Sequence, residues 1–364
     1  MSRADRERPS SPRMGRDDGR SSLVRTEIAD QPAAVARVVA DGDGAIAAAA
    51  AEIARVRPRY AVVAARGSSD NAARYAQHVL GRLCGLPVAL ATPSLHTVYD
   101  APPRYDGAVV LGISQSGASP DVVAVLAAAR AQGCVTVAIT NDAGSPMAQA
   151  ATHVIALGAG VEASVAATKT YTSSLAAVAA LAAAIAGDGQ RRRELAAAPA
   201  TLARQLDRTG GLDDAAAAAA DWSRLAVIGR GANYATAFEA ALKIKELAGV
   251  AAEPASPADF LHGPVAMLDP GFPLLAILPS PPAGAAVRDV LGAAHDRDAD
   301  VTVIAEPGYA AAPGERVLAL EPGPEWLSPL AAVIPAQLLA VGAAECRGLD
   351  VDRPVGLQKV TRTT

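Results

Sequence analysis

Glu239, Lys243 and Glu246 lie four and three residues apart in a run that reads as helix, so two carboxylates and an amine share one face. A carboxylate fixed beside a cation can carry a proton between neighbouring carbons while the cation holds the negative charge that develops. A plain surface ion-pair ladder would have the same spacing. The rest of the sequence bears on the choice. Of 33 Lys plus Arg only four are lysines, at 169, 243, 245 and 359, so arginine is the default cation. A solvated face accepts arginine. A lysine kept against that bias points to chemistry that needs an ammonium or a neutral amine, and only lysine forms an imine with a carbonyl. Lys359 stands in a polar tail where packing gives no reason to prefer it.

A second cluster could hold an anion. An apolar run ending at Ile113 leads into Ser114-Gln115-Ser116-Gly117-Ala118-Ser119-Pro120, and a helical run follows. Ser119 suits an N-cap and Pro120 a first helical residue. Backbone N–H groups and hydroxyls would then converge on a helix N-terminus, where partial positive charge favours a group of phosphate size. An ordinary capped turn has a similar composition. The five histidines include no HxxxH or HExxH spacing, so no metal site is expected. Only His262 stands out, in a loop whose Gly263-Pro264 would hold the backbone close to something. The three cysteines, Cys84, Cys134 and Cys346, read as reduced packing residues.

What positions these groups is a repeated α/β pattern. Short Val/Ile/Leu runs at 60–65, 87–91, 108–113, 134–140 and 153–156 alternate with Ala-rich helical runs, and strands return at 224–229, 273–278, 301–305 and 316–320. AVVAARGSSDNAARYA at 61–76 aligns with LAVIGRGANYATAFEA at 225–240, which places Arg66-Gly67 on Arg230-Gly231. GAVVLGISQSGASPDV at 107–122 falls in the same way on FPLLAILPSPPAGAAV at 272–287. The pattern predicts a duplicated parallel-sheet lobe. The copy of the Ser-rich loop reads Leu278-Pro279-Ser280-Pro281-Pro282, and proline has no N–H to donate, so only the first lobe keeps an anion cradle. The expected division is a tail at 1–22, a first domain at 23–189, a helical linker at 190–215, a second domain at 216–349 and a tail at 350–364. The first 20 residues carry six Arg and four acidic residues without an apolar core, unlike a signal peptide or anchor. The apolar run 175–186 reads as a buried helix, shorter than the about 20 residues that a bilayer demands. A net charge of -4 argues against a nucleic-acid partner.

As an ordered series these residues resemble the SIS (sugar isomerase) family, in particular the isomerase domain of glucosamine-6-phosphate synthase and the stand-alone amino-sugar-phosphate deaminases. The likeness runs from EIADQP at 27–32 through RGSSD, GISQSGASPD, VEASVAATKTYT at 161–172, ALKIKELA and DFLHGP to DVDRPVGLQK. It implies two tandem SIS domains with flavodoxin-like or Rossmann-like parallel sheets, related by internal duplication. It also implies a phosphate held by Ser114, Gln115, Ser116 and Ser119, and a sugar touched by Ser69 and the backbone around Val165. Gly67, Ser68, Gly117, Ala166, Thr168 and Gln358 belong to the same implied binding set. Glu246 matches the family's general base between C1 and C2, Lys243 the group that stabilises the enediol charge, and Lys359 the tail lysine that meets the carbonyl. His262 matches a ring-opening residue supplied by the neighbouring subunit, which implies a homodimer.

No cofactor is implied, and a cytoplasmic enzyme is expected. The synthase carries an N-terminal glutaminase domain, whereas here a short polar stretch precedes Glu27, so glutamine hydrolysis is not expected. Gln358 replaces a small residue, and the ending KVTRTT looks like the stand-alone deaminases. The expected reaction converts glucosamine 6-phosphate and water into fructose 6-phosphate and ammonia. A fructosamine-phosphate deglycase, a glutamine-independent synthase-like isomerase and a non-enzymatic sugar-phosphate sensor are the alternatives. A sensor could dispense with Glu246, His262 and Lys359.

Overall fold

The computed structural model describes residues 22–41 and 43–359, so most of the expected N-terminal tail and the last five residues lie outside it. Helices α1 (Leu23–Ala29), α2 (Gln31–Asp41) and α3 (Asp43–Val56) lead into the first sheet. That lobe runs β1 (Tyr60–Ala64), α4 (Ser68–Cys84), β2 (Val88–Leu90), α5 (Ser94–Thr97), β3 (Ala108–Ser114), α6 (Pro120–Ala131), β4 (Val135–Thr140), α7 (Pro146–Ala150) and β5 (His153–Ala156). Helix α8 (Lys169–Ile185) follows, and α9 (Gly189–Ala196), α10 (Ala198–Leu206) and α11 (Leu212–Ala219) join the lobes. The expected boundary at 215/216 falls inside α11. The second lobe runs β6 (Arg224–Ile228), α12 (Tyr234–Ala248), β7 (Ala251–Ala255), α13 (Pro257–Leu261), β8 (Pro273–Leu278), α14 (Ala283–His295), β9 (Asp300–Ala305), β10 (Arg316–Ala319) and α15 (Ser328–Cys346).

Both sheets are parallel and share one strand order, β2-β1-β3-β4-β5 in the first and β7-β6-β8-β9-β10 in the second, as a duplication requires. β3 is buried along its whole length because helices cover both faces of the sheet. Each such Val, Leu or Ile stabilises the fold by about 1.5–3 kcal/mol. β7 was not expected. Its sequence AAEPA breaks the apolar run with Glu253 and Pro254, which is tolerated because β7 is an edge strand. The Ala-rich run 175–186 is the buried body of α8, as its composition predicts. Among the described residues Glu325–Cys346 is long and apolar enough to cross a membrane, yet 94% of that window is buried inside the molecule. One apolar core takes in α4, α8, α12 and α15 and so joins the two lobes. Through it α12 of the second lobe packs against α4 of the first and lies across from the first sheet.

Candidate functional site

A cleft of about 970 Å³ opens between the C-terminal ends of β1, β3 and β4 and the facing side of α12. The loop after β3 forms one wall. The chain turns there at Gly117, with φ +59°, and a Cβ would lie 2.1 Å from Ser145 Oγ and 2.9 Å from Thr140 Oγ1, so only glycine fits. Gly117 therefore shapes the loop from behind and does not line the cleft. Gly117 N donates to Ser114 Oγ at 3.1 Å and Ala118 N to Ser116 Oγ at 3.3 Å. These two N–H groups are spent inside the loop, a correction to the expectation that the backbone N–H groups converge on a ligand. Gln115 O accepts from Asn141 N and Thr140 Oγ1, which ties the loop to the end of β4. Ser119 is the N-cap of α6 with Pro120 after it, but its hydroxyl makes no capping bond. The side chains of Ser114, Gln115, Ser116 and Ser119 line the cleft at the positive end of α6.

The turn after β1 adds Gly67, Ser68 and Ser69. Ser68 Oγ donates to Glu239 Oε1 at 2.9 Å, and Asn71 Nδ2 to Glu239 Oε2 at 2.7 Å. Glu239 thus ties the first lobe to α12. On the same face Lys243 is 1% exposed, with Nζ 2.5 Å from Glu246 Oε2 and 3.5 Å from Glu239 Oε1. That burial excludes the surface-ladder reading. Burial alone would lower the Lys243 pKa, but Glu239 and Glu246 outweigh it and hold the amine above its ordinary value, as an ammonium. Burial pushes the Glu239 carboxyl up, although Lys243 and Asn71 pull it down. Glu246, with its side chain 24% exposed, is the carboxylate of the trio that lines the cleft. The result is a protonated lysine locked beside an accessible carboxylate.

The third wall is the chain end. Asp352 accepts from Leu23 N and Val24 N at 2.9 and 3.0 Å, which fixes the tail on α1. Leu357, Gln358 and Lys359 then cross the cleft. Lys359 Nζ donates to Glu162 Oε2 at 3.1 Å. Glu162 also accepts from Thr168 N (2.9 Å), Thr170 N (3.0 Å) and Thr170 Oγ1 (2.6 Å), so it caps α8 from a distance. Burial raises its pKa, but Lys359 and the Thr170 and Thr168 bonds outweigh that and hold the carboxyl below its ordinary value.

Val165 lines the cleft, Ala166 is buried behind it, and Thr168 is buried on Glu162. His262 caps the C-terminal end of α13, exposed and apart from the cleft of its own chain. Sequence reasoning missed Glu162, Asn141 and Tyr171, all of which line the cleft. Glu162 lies inside the quoted motif VEASVAATKTYT, and an acid just ahead of a threonine-rich helix start was the available signal. Among the described residues no three His, Cys, Asp or Glu side chains form a metal-ligand group.

The SIS domain model matches residues 56–184 and 219–345, one stretch per lobe. Glutamine–fructose-6-phosphate aminotransferase [isomerizing] 1 from Arabidopsis thaliana is 33% identical over 84% of this chain and 47% of its own length. The enzyme of that name from Zymomonas mobilis is 32% identical over 93% of this chain and 58% of its own length. The chain thus spans about half the length of these curated relatives. The C-terminal domain of glucosamine-fructose-6-phosphate aminotransferase from Francisella tularensis superposes with a TM-score of 0.84 at 27% identity, covering 93% of this chain and 100% of that domain. A Silicibacter pomeroyi protein with a provisional phosphosugar isomerase assignment gives 0.82 at 36% identity, covering 91% of this chain and 100% of that one.

Proposed function

The chain belongs to the SIS domain family, and from that premise we propose that it is an amino-sugar 6-phosphate isomerase that deaminates glucosamine 6-phosphate to fructose 6-phosphate and ammonia. The observation that carries this reading is the buried Lys243 ammonium 2.5 Å from Glu246, facing the Ser-rich loop across one cleft. The loop hydroxyls and the α6 N-terminus take the phosphate. His262 of the partner subunit assists ring opening in a homodimer, and Lys359 meets the freed carbonyl. Glu246 takes the proton from C2, exchanges it with solvent and delivers a proton to C1, while the Lys243 ammonium holds the charge that develops on the C1 oxygen of the enolamine. The amine-bearing C2 is left as an imine. Water adds to that carbon, the C–N bond breaks, and ammonia leaves with the proton it needs. No step draws on an oxidant, a metal or a cofactor.

Purified protein given glucosamine 6-phosphate should release ammonia and fructose 6-phosphate in equal amounts, with no dependence on glutamine. Consumption of an N-substituted fructosamine phosphate, with no ammonia from any hexosamine 6-phosphate, would overturn this reading in favour of deglycation. The same base would then serve a different substrate.

A further inference from the structure

We infer that Arg66 is the cationic arm of the phosphate subsite, aimed by Asp121, and that it sets the preference for phosphorylated over neutral sugars. The inference rests on the phosphosugar reading above and adds a residue to it. Among the described residues three cations line the cleft, namely Arg66, Lys243 and Lys359. Lys243 is enclosed by Glu239 and Glu246, and Lys359 is paired with Glu162. Arg66 differs from both. Its Nε donates to Asp121 Oδ2 at 2.7 Å, and among the described residues its two terminal nitrogens donate to no protein group. Its side chain is 51% exposed and that of Asp121 2%.

Asp121 lies in the first turn of α6, two residues past Ser119, so its charge would repel an anion bound at that helix end. The guanidinium neutralises this charge through Nε and keeps its terminal donors for a ligand in the cleft that Arg66 lines. A planar fork of five donors can hold acids at separate edges, whereas a lysine brings a single nitrogen that must itself lie within reach of both. The second lobe is an internal control. Arg230 repeats Arg66, but Ala286 takes the place of Asp121 and Pro281 and Pro282 replace the cradle. The aiming acid and the cradle are lost together.

The test is calorimetric binding of fructose 6-phosphate, glucosamine 6-phosphate and neutral fructose to the whole chain and to R66Q, R66K, D121N and the S116A/S119A double variant. R66Q should weaken both phosphates by about 10- to 100-fold, the range of one or two charge-assisted hydrogen bonds, and leave fructose unchanged. R66K should lose nearly as much, because its ammonium satisfies Asp121 and cannot also reach the phosphate. It carries the test should R66Q fail to fold. D121N should lose less, since the arm remains though no longer aimed and the repulsion from the Asp121 charge is gone. Wild-type affinity should also rise with pH through about 6, where a phosphate monoester becomes a dianion, and R66Q should flatten that rise, which a purely structural role would not do. Phosphate affinity within twofold of wild type in R66Q, or in R66K if only that folds, overturns the inference, and the cradle stands if S116A/S119A still loses binding. Wild-type protein that binds neither phosphate more tightly than fructose removes the phosphate reading and this inference with it.

Discussion

Lys243 carries its charge in a nearly dry setting between two carboxylates, so removing it has two separable consequences. Lys243→Met would leave Glu239 buried and unpaired, which should destabilise the protein by about 3–5 kcal/mol in denaturant titration. Adding Glu239→Gln should recover part of that stability but none of the activity. Equal stability of the single variant and wild type would mean that the trio is solvated after all. The sequence made this site legible because helical spacing sets side chains on one face, and because lysine is scarce among 33 cations. Glu162 was only faintly legible, as an acid ahead of a threonine-rich helix start, and its part in the cleft was not. Its partners are the N–H groups of a helix start six and eight residues on and a lysine 197 residues away, and neither spacing is a pattern of local structure.

Two chain segments close over the cleft, and each can be tested. The loop 114–119 presents hydroxyls at a helix start, so Ser116→Ala with Ser119→Ala should raise KM for a phosphorylated substrate, each lost hydroxyl contributing about 1–3 kcal/mol, with the fold intact. An unchanged KM would remove the loop from the site. The tail 357–359 is latched by Glu162, whose folded-state pKa lies below the ordinary value of 4.5. A carboxyl lowered on folding stabilises fully above its unfolded pKa, and that contribution is lost as pH falls through the folded value. Protection of the tail amides, taken relative to their intrinsic exchange rate at each pH, should therefore hold through neutrality and fall only on acidification below about 4.5. Tail opening as pH rises toward neutrality would contradict the latch. The strands were legible as apolar runs bounded by turns, save β7. An edge strand carrying Glu253 and Pro254 gives no such run, and only pairing with β6 makes it a strand.

At the scale of the molecule, duplication was readable because two long motifs keep register, and the shared strand order is its structural counterpart. The sequence did not say which faces of the lobes meet, because that depends on α4 and α12 sharing one core and thereby building a single cleft. His262 is exposed on its own chain, so a catalytic part for it requires a second copy. Mixing inactive His262→Ala with inactive Glu246→Gln subunits should restore about one working site per heterodimer. No regain after proven subunit exchange would separate His262 from the site. The central claim is that Glu246 moves a proton between C1 and C2, and glucosamine 6-phosphate turned over in D2O tests it most directly. NMR of the fructose 6-phosphate formed should show deuterium at C1 with wild-type protein, and Glu246→Gln should lower that incorporation by at least about 100-fold while binding changes little. Incorporation at the normal rate in Glu246→Gln would contradict the account.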